Sequence, residues 1–252
     1  MAERKRRLAV VLFIVVSVLG GYAYEAIQQR NQESVQQPAG VLGVNGELGP
    51  SSLNSENTVL ARDALRELEV KGRAPKTGYT RSQFGEGWGS AGACDVRNFI
   101  LRRDLTSVVT KSDTDCTVLS GKLDDPYTGK TIQFQRGANT SDDVQIDHVV
   151  ALSDAWQKGA QQMEFQARVQ FANDALNLLA VDGEANGQKS DSDAASWLPP
   201  NKVYRCMYVA RQVAVKQKYS LWVTQAEKDA IARVLSTCPD QRLPVVSQPL
   251  RV

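Results

Sequence analysis

The chain has 252 residues, a formal net charge of +2, and 42% hydrophobic and 23% charged residues. That length accommodates one good-sized domain plus extensions. Charges so near balance favour no partner class, and bulk charge argues neither for nor against nucleic acid.

The first element is a targeting segment. Glu3-Arg4-Lys5-Arg6-Arg7 is basic, and Leu8 to Tyr24 then runs without a charge. Residues 1–27 therefore have the layout of a signal peptide or signal anchor. Gly21-Tyr22-Ala23 offers a small-x-small cleavage site, and an uncleaved segment becomes long enough to span once Ala26 and Ile27 join it. The basic flank stays cytoplasmic, so the rest of the chain is expected outside the cell, secreted or held to the membrane. Residues 28–57 are rich in Gln, Asn, Ser, Gly and Glu and read as a flexible linker. A single domain is expected over 58–240, and a disordered tail over 241–252.

Four cysteines in an exported chain imply disulfides. Three connectivities exist, and Cys94–Cys116 with Cys206–Cys238 is preferred because each pair encloses a short segment. No pair has the Cys-x-x-Cys spacing usual for zinc.

Thr58 to Lys71 has Val59, Leu60, Ala64, Leu65 and Leu68 at helical spacing, with Asn57 as N-cap and Gly72 as stop. Tyr79-Thr80-Arg81-Ser82-Gln83-Phe84-Gly85 leads into a glycine-rich loop around Trp88. It lacks the Gly-Lys-Ser/Thr ending of a phosphate-cradling loop. A helix is expected over 96–104. Short strands are expected over 106–109, 116–119 and 131–134, with a turn at Asp125-Pro126-Tyr127-Thr128-Gly129. Val144, Ile146, Val149 and Val150 suit a strand around Asp147-His148. Met163 to Ala175 is expected to be helical, burying Phe165, Val169 and Phe171. Asn177 to Val181 is a strand, Asp182-Gly183 a turn, and Asn186 opens a polar segment at a turn into a helix. Helices follow over 201–218 and from the Thr224-x-x-Glu227 capping box to about 236.

The chemistry centres on His148, the only histidine, preceded directly by Asp147. Neighbouring side chains on a strand face opposite ways, so the two share a site only where the strand bends or ends. Asn177 and Asn186 follow in order, with Lys189 three residues further on. A neutral imidazole can take a proton from water near neutral pH. Asp147 and the amide oxygen of Asn186 are hard donors that suit Mg²⁺ or Mn²⁺. Asn177 can fix the hairpin and orient the imidazole, and Lys189 can meet a phosphate oxygen. Arg97 on the 96–104 helix, with Lys202, Arg205 and Lys216 on the later helix, are candidates for a polyanion footprint. Each set has a plain alternative as a solvated or ion-paired helix face. Trp156, Trp197 and Trp222 read as core, and Asp191 and Asp193 as caps or solvated groups.

These residues also carry a resemblance. Ile146-Asp147-His148-Val149-Val150-Ala151-Leu152, Phe171-Ala172-Asn173-Asp174, Asn177-Leu178-Leu179-Ala180-Val181, Asn186-Gly187-Gln188-Lys189-Ser190-Asp191 and Trp197-Leu198-Pro199-Pro200 together resemble the HNH (ββα-metal) endonuclease superfamily. Within it, the chain is similar to exported actinobacterial-type HNH proteins related to the C-terminal nuclease domain of GmrSD-type restriction enzymes. Asp-His followed by Asn-x-x-Lys-Ser-Asp is also similar to the HNH module of RNA-guided nucleases. The resemblance implies an α+β fold, with a ββα-metal core over 144–200 inside a mostly helical single domain and a small β-rich N-terminal part. It implies His148 as general base, Asp147 and Asn186 on a divalent metal, and Asn177 as the middle asparagine. Asn186 stands where the pattern's last letter has histidine, which favours Mg²⁺ or Mn²⁺ over zinc.

The expected activity is hydrolysis of phosphodiester bonds in DNA, with RNA left open as a second substrate, by a monomer with little sequence preference. The alternative is a non-catalytic module that keeps the fold and binds DNA or another polyanion. A serine hydrolase is disfavoured, because no Gly-x-Ser-x-Gly elbow occurs.

Overall fold

The structure, a computed structural model, describes residues 59–112 and 115–245. The expected signal segment 1–27, linker 28–57, N-cap Asn57 and the end of the tail lie outside these residues. No helix among the described residues is long and apolar enough to cross a membrane.

Helix α1 (Ala61–Glu67) buries Ala61, Ala64 and Leu65, the face set by its apolar spacing. It is shorter than expected and begins after Leu60, without a side-chain cap. A 3₁₀ turn, Arg81–Phe84, follows and buries Phe84. Strands β1 (Ser90–Ala91) and β2 (Cys94–Asp95) form a small hairpin. Asp95 then caps helix α2 (Val96–Asp104), its carboxylate accepting from the Asn98 amide at 2.6 Å.

Strands β3 (Thr106–Ser112), β4 (Asp115–Asp124) and β5 (Thr131–Gln135) make an antiparallel sheet in that order. Strand β6 (Val144–His148) pairs antiparallel with β7 (Leu178–Asp182), setting Asp147 opposite Leu179 and His148 opposite Leu178. Between these two strands lie α3 (Leu152–Trp156), a 3₁₀ turn at Ala160–Gln162, and α4 (Phe165–Ala172).

Helix α5 (Gly183–Lys189) closes a β-β-α unit. Asp182 caps it, accepting from the Ala185 amide at 2.7 Å. Glycine is required at 183, since a Cβ there would lie 1.9 Å from the Asp142 carbonyl oxygen. A 3₁₀ turn at Lys202–Tyr204 leads into α6 (Arg205–Lys218), and α7 (Gln225–Leu235) ends the helical part. The fold is α+β, as expected.

Three apolar clusters make the core. One joins α1, α6 and α7 to Tyr127, Leu179 and Val181. A second joins Phe84 to α3, α4 and Leu221. The third joins α2, Val118 and Phe134 to Val144, Ile146 and Leu178. Trp156 and Trp222 are buried and Trp197 packs on the first cluster, so all three serve the core. Both preferred disulfides are present, Cys94–Cys116 and Cys206–Cys238.

Several expectations need correction. Of the three residues expected on the buried face of α4, Phe171 is buried and Val169 half-buried, but Phe165 is 52% exposed. Thr224 caps α7 through the Glu227 amide, but the Glu227 side chain does not complete a capping box; it goes to buried lysines. The tail was expected to be loose from 241, yet Gln241 accepts from the Ala61 amide, and the Leu243 amide donates to Val59.

Candidate active site

The end of β6 positions the site. His148 is the last residue of the strand, and there Asp147 and His148 come to line a single cleft of about 410 Å³. Asn177 makes that ending firm. Its side chain accepts from the Val150 amide at 2.8 Å and donates to the Val150 carbonyl at 3.2 Å. Its own carbonyl accepts from the Val149 amide. Asn177 thus holds the backbone that follows the histidine.

Residues three apart share a helix face, so Asn186 and Lys189 both point from α5 back to β6. Asn186 donates from Nδ2 to Gln145 Oε1 at 2.8 Å and lines the cleft beside Asp147. Lys189 is fully buried; its ammonium donates to Asp147 Oδ1 and to the His148 carbonyl, each at 2.9 Å. The expected contact of Lys189 with a phosphate is therefore corrected, because this ammonium is spent on the carboxylate and withdrawn from solvent. The other carboxylate oxygen of Asp147 accepts from the Tyr127 hydroxyl at 2.5 Å. Burial and the nearby carboxylate push the Tyr127 phenol well above its ordinary range, which keeps it a donor.

His148 is buried, and its Nε2 lies 2.9 Å from the Ala172 carbonyl. A carbonyl only accepts, so Nε2 carries the proton and Nδ1 holds the free pair in the neutral ring. Trp88 stacks on the imidazole, with centroids 5.8 Å apart and planes 9° from parallel. Burial lowers the imidazole to about 4; Arg81 and Lys189 push the same way, while the Ala172 carbonyl and Asp147 oppose. At neutral pH the ring is an uncharged base.

The remaining cleft wall comes from distant segments: Lys76, Tyr79 and Arg81 from one stretch, Ser153 from α3, and Asp191 from the turn after α5. Asp191 pairs with Lys76 at 3.0 Å and accepts from the Ser153 hydroxyl at 3.1 Å. A second cleft of about 250 Å³ lies against His148, lined by Arg81, Phe84, Glu86, Trp88 and Ala172 among others.

The other expected contacts fall elsewhere. Arg97 donates to the Ser141 and Val144 carbonyls and braces the start of β6, away from both clefts. Lys216 is fully buried between Asp154 and Glu227, which rules out the substrate contact expected of it. Lys202 and Arg205 line a separate cleft with Arg233. Asp193 caps the turn that follows it, accepting from the Ala195 amide at 3.0 Å, but it is buried on Lys158 and Arg73 and not solvated. Sequence reasoning missed Tyr127, Trp88 and Arg81. The signal for the last two was the unassigned Tyr-Thr-Arg-Ser-Gln-Phe-Gly run and its glycine-rich continuation.

An antiparallel strand pair followed by a helix, with Asp-His ending the first strand and Asn-x-x-Lys on the helix, describes the core of a nuclease-type domain. Comparison with protein families matches residues 95–234, more than half of the chain, to the GmrSD restriction endonuclease C-terminal domain. A protein of Arthroderma benhamiae, named an uncharacterized secreted protein, is 38% identical over 191 residues, covering 75% of this chain and 90% of that protein. No solved structure gives a significant match. The chain belongs to the family of GmrSD restriction endonuclease C-terminal domains.

Proposed function

We propose that this protein is an exported, metal-dependent endonuclease that hydrolyses phosphodiester bonds in DNA and RNA with little sequence preference. One observation carries the reading: a buried, uncharged His148 shares a cleft with the oxygen donors Asp147 and Asn186. Family membership supports the nuclease class, and the relative named as secreted, together with two disulfides, supports export.

The donor set suits a hard divalent cation. Each Asp147 oxygen accepts one bond and retains a second lone pair, and Asn186 uses its amide nitrogen on Gln145. Among the described residues no group of three His, Cys, Asp or Glu is placed to hold a metal. Two oxygen ligands with water completing the shell suit Mg²⁺ or Mn²⁺, which retain several waters. A cation held by Asp147 and Asn186 would supply Lewis-acid charge to the phosphodiester. The chain's own contribution is the base. The Nδ1 lone pair of His148 takes a proton from water as the water oxygen bonds to phosphorus and the P–O3′ bond breaks. The departing oxygen is protonated from solvent. Asn177 and the Ala172 carbonyl keep the ring in place and in the required tautomer.

The test is nicking of supercoiled plasmid, and cleavage of RNA, with Mg²⁺ or Mn²⁺ and with EDTA. Cleavage with metal, none with EDTA, and a loss of about 100-fold or more in His148→Ala are expected. A folded protein that binds DNA but never cuts it under either metal would instead be the non-catalytic polyanion-binding module.

A further inference from the structure

Two carboxylates and two cations line the catalytic cleft, and all but one are matched. Asp147 is bound by Lys189 and Tyr127, and Asp191 by Lys76 and Ser153. Arg81 is the exception. Its side chain is exposed and makes no hydrogen bond or ion pair with any described residue, yet it lines both clefts that meet at His148. Its charge is close enough to help lower the imidazole. Glu86, the acidic residue of the second cleft, is not paired with it.

Arg81 is also held in place. It opens the 3₁₀ turn Arg81–Phe84, whose Phe84 is buried against Trp156 and Phe171. Gln83, in the same turn, accepts from Arg168 of α4 through its carbonyl at 2.8 Å and its side chain at 3.2 Å. An anchored backbone presenting an unmatched guanidinium beside the base is suited to an anion, and the planar fork of arginine fits two phosphate oxygens at once.

We propose that Arg81 is a catalytic residue that binds the non-bridging oxygens of the phosphate under attack and stabilises the charge they gain in the transition state. This rests on the nuclease reading above. No proton moves through Arg81, and His148 remains the base.

The experiment compares wild type, Arg81→Gln and Arg81→Lys on plasmid DNA and on bis(4-nitrophenyl) phosphate, a small diester with no chain to grip. A residue that touches the reacting phosphate affects both substrates. Arg81→Gln should lose about 100-fold or more in kcat on each, with unchanged melting temperature, and Arg81→Lys should recover only part of the loss. A loss on plasmid alone, relieved by lowering salt, would overturn the proposal, because it would place Arg81 on a remote stretch of backbone. Full activity of Arg81→Gln on both would overturn it as well.

If wild type cleaves neither substrate, the nuclease reading fails by itself, and Arg81 is judged by calorimetric titration with inorganic phosphate. Binding by wild type that disappears in Arg81→Gln sustains the anion site. Equal binding, or none, refutes it.

Discussion

At the scale of single residues, the burial of His148 has a price in acid. The imidazole sits at about 4 in the folded protein against an ordinary 6.5. Between those values the unfolded chain binds a proton that the folded chain does not, so stability is complete above about pH 6.5 and falls as pH drops towards 4. At 1.36 kcal/mol per unit the loss is on the order of 3 kcal/mol. Urea unfolding of metal-free protein at about pH 7 and about pH 4.5 measures it, and His148→Gln should lose that part of the pH dependence. Equal pH dependence in the two proteins would show the ring to be protonated in the fold. That Asp147, His148 and Asn186 would share one cleft was legible in the sequence, from their order and spacing. Lys189 was located but given the wrong task, since a lysine beside a carboxylate in space is indistinguishable, in one dimension, from a lysine facing solvent. Arg81, Trp88 and Tyr127 precede His148 by 67, 60 and 21 residues, and only folding brings them to it.

At the scale of elements, a buried charge cluster ties together the helices behind the site. Lys158 and Lys216 are fully buried, and between them lie Asp154 of α3, Asp193 and Glu227 of α7, with Arg73 at the edge. Asp154 Oδ1 and Glu227 Oε1 lie within ion-pair distance of cationic nitrogens without hydrogen-bond alignment, so their attraction there is coulombic. Three positive and three negative groups balance. Lys158→Met removes one cation and leaves buried carboxylates short of a partner, at about 3–5 kcal/mol. Denaturant unfolding should register that loss, and adding Glu227→Gln should recover part of it; a double variant no more stable than Lys158→Met would show that the charges do not act as a set.

The same cluster explains the failed capping box, because tertiary pairing drew the Glu227 side chain away from the helix end. Strand β4 was also longer than its sequence suggests. Ser120-Gly121-Lys122 has the composition of a turn, but Gly121 lies where a Cβ would stand 2.7 Å from Leu105 Cδ2, so the glycine marks close packing.

At the scale of the whole molecule, the two disulfides close loops of 22 and 32 residues between parts the core already joins. Cys94–Cys116 fastens β2 to β4, and Cys206–Cys238 fastens the start of α6 to the turn after α7. Reduction should cost about 2–4 kcal/mol for each, seen as a lower melting temperature in reductant. An unchanged melting temperature with both thiol pairs free would mean that the packed core alone sets stability. Most element positions followed from apolar periodicity, and the α+β class from the resemblance that the motifs between 144 and 200 carry. Which segments would line the cleft did not, because that depends on contacts between α4 and the 3₁₀ turn at Arg81 that leave no periodic trace.

The pairing of Asp147 with an internal ammonium and a phenol has a wider consequence. Because that carboxylate finds its counter-charge and a donor within the chain, the end of β6 and the helix α5 behind it can assemble with no added cation.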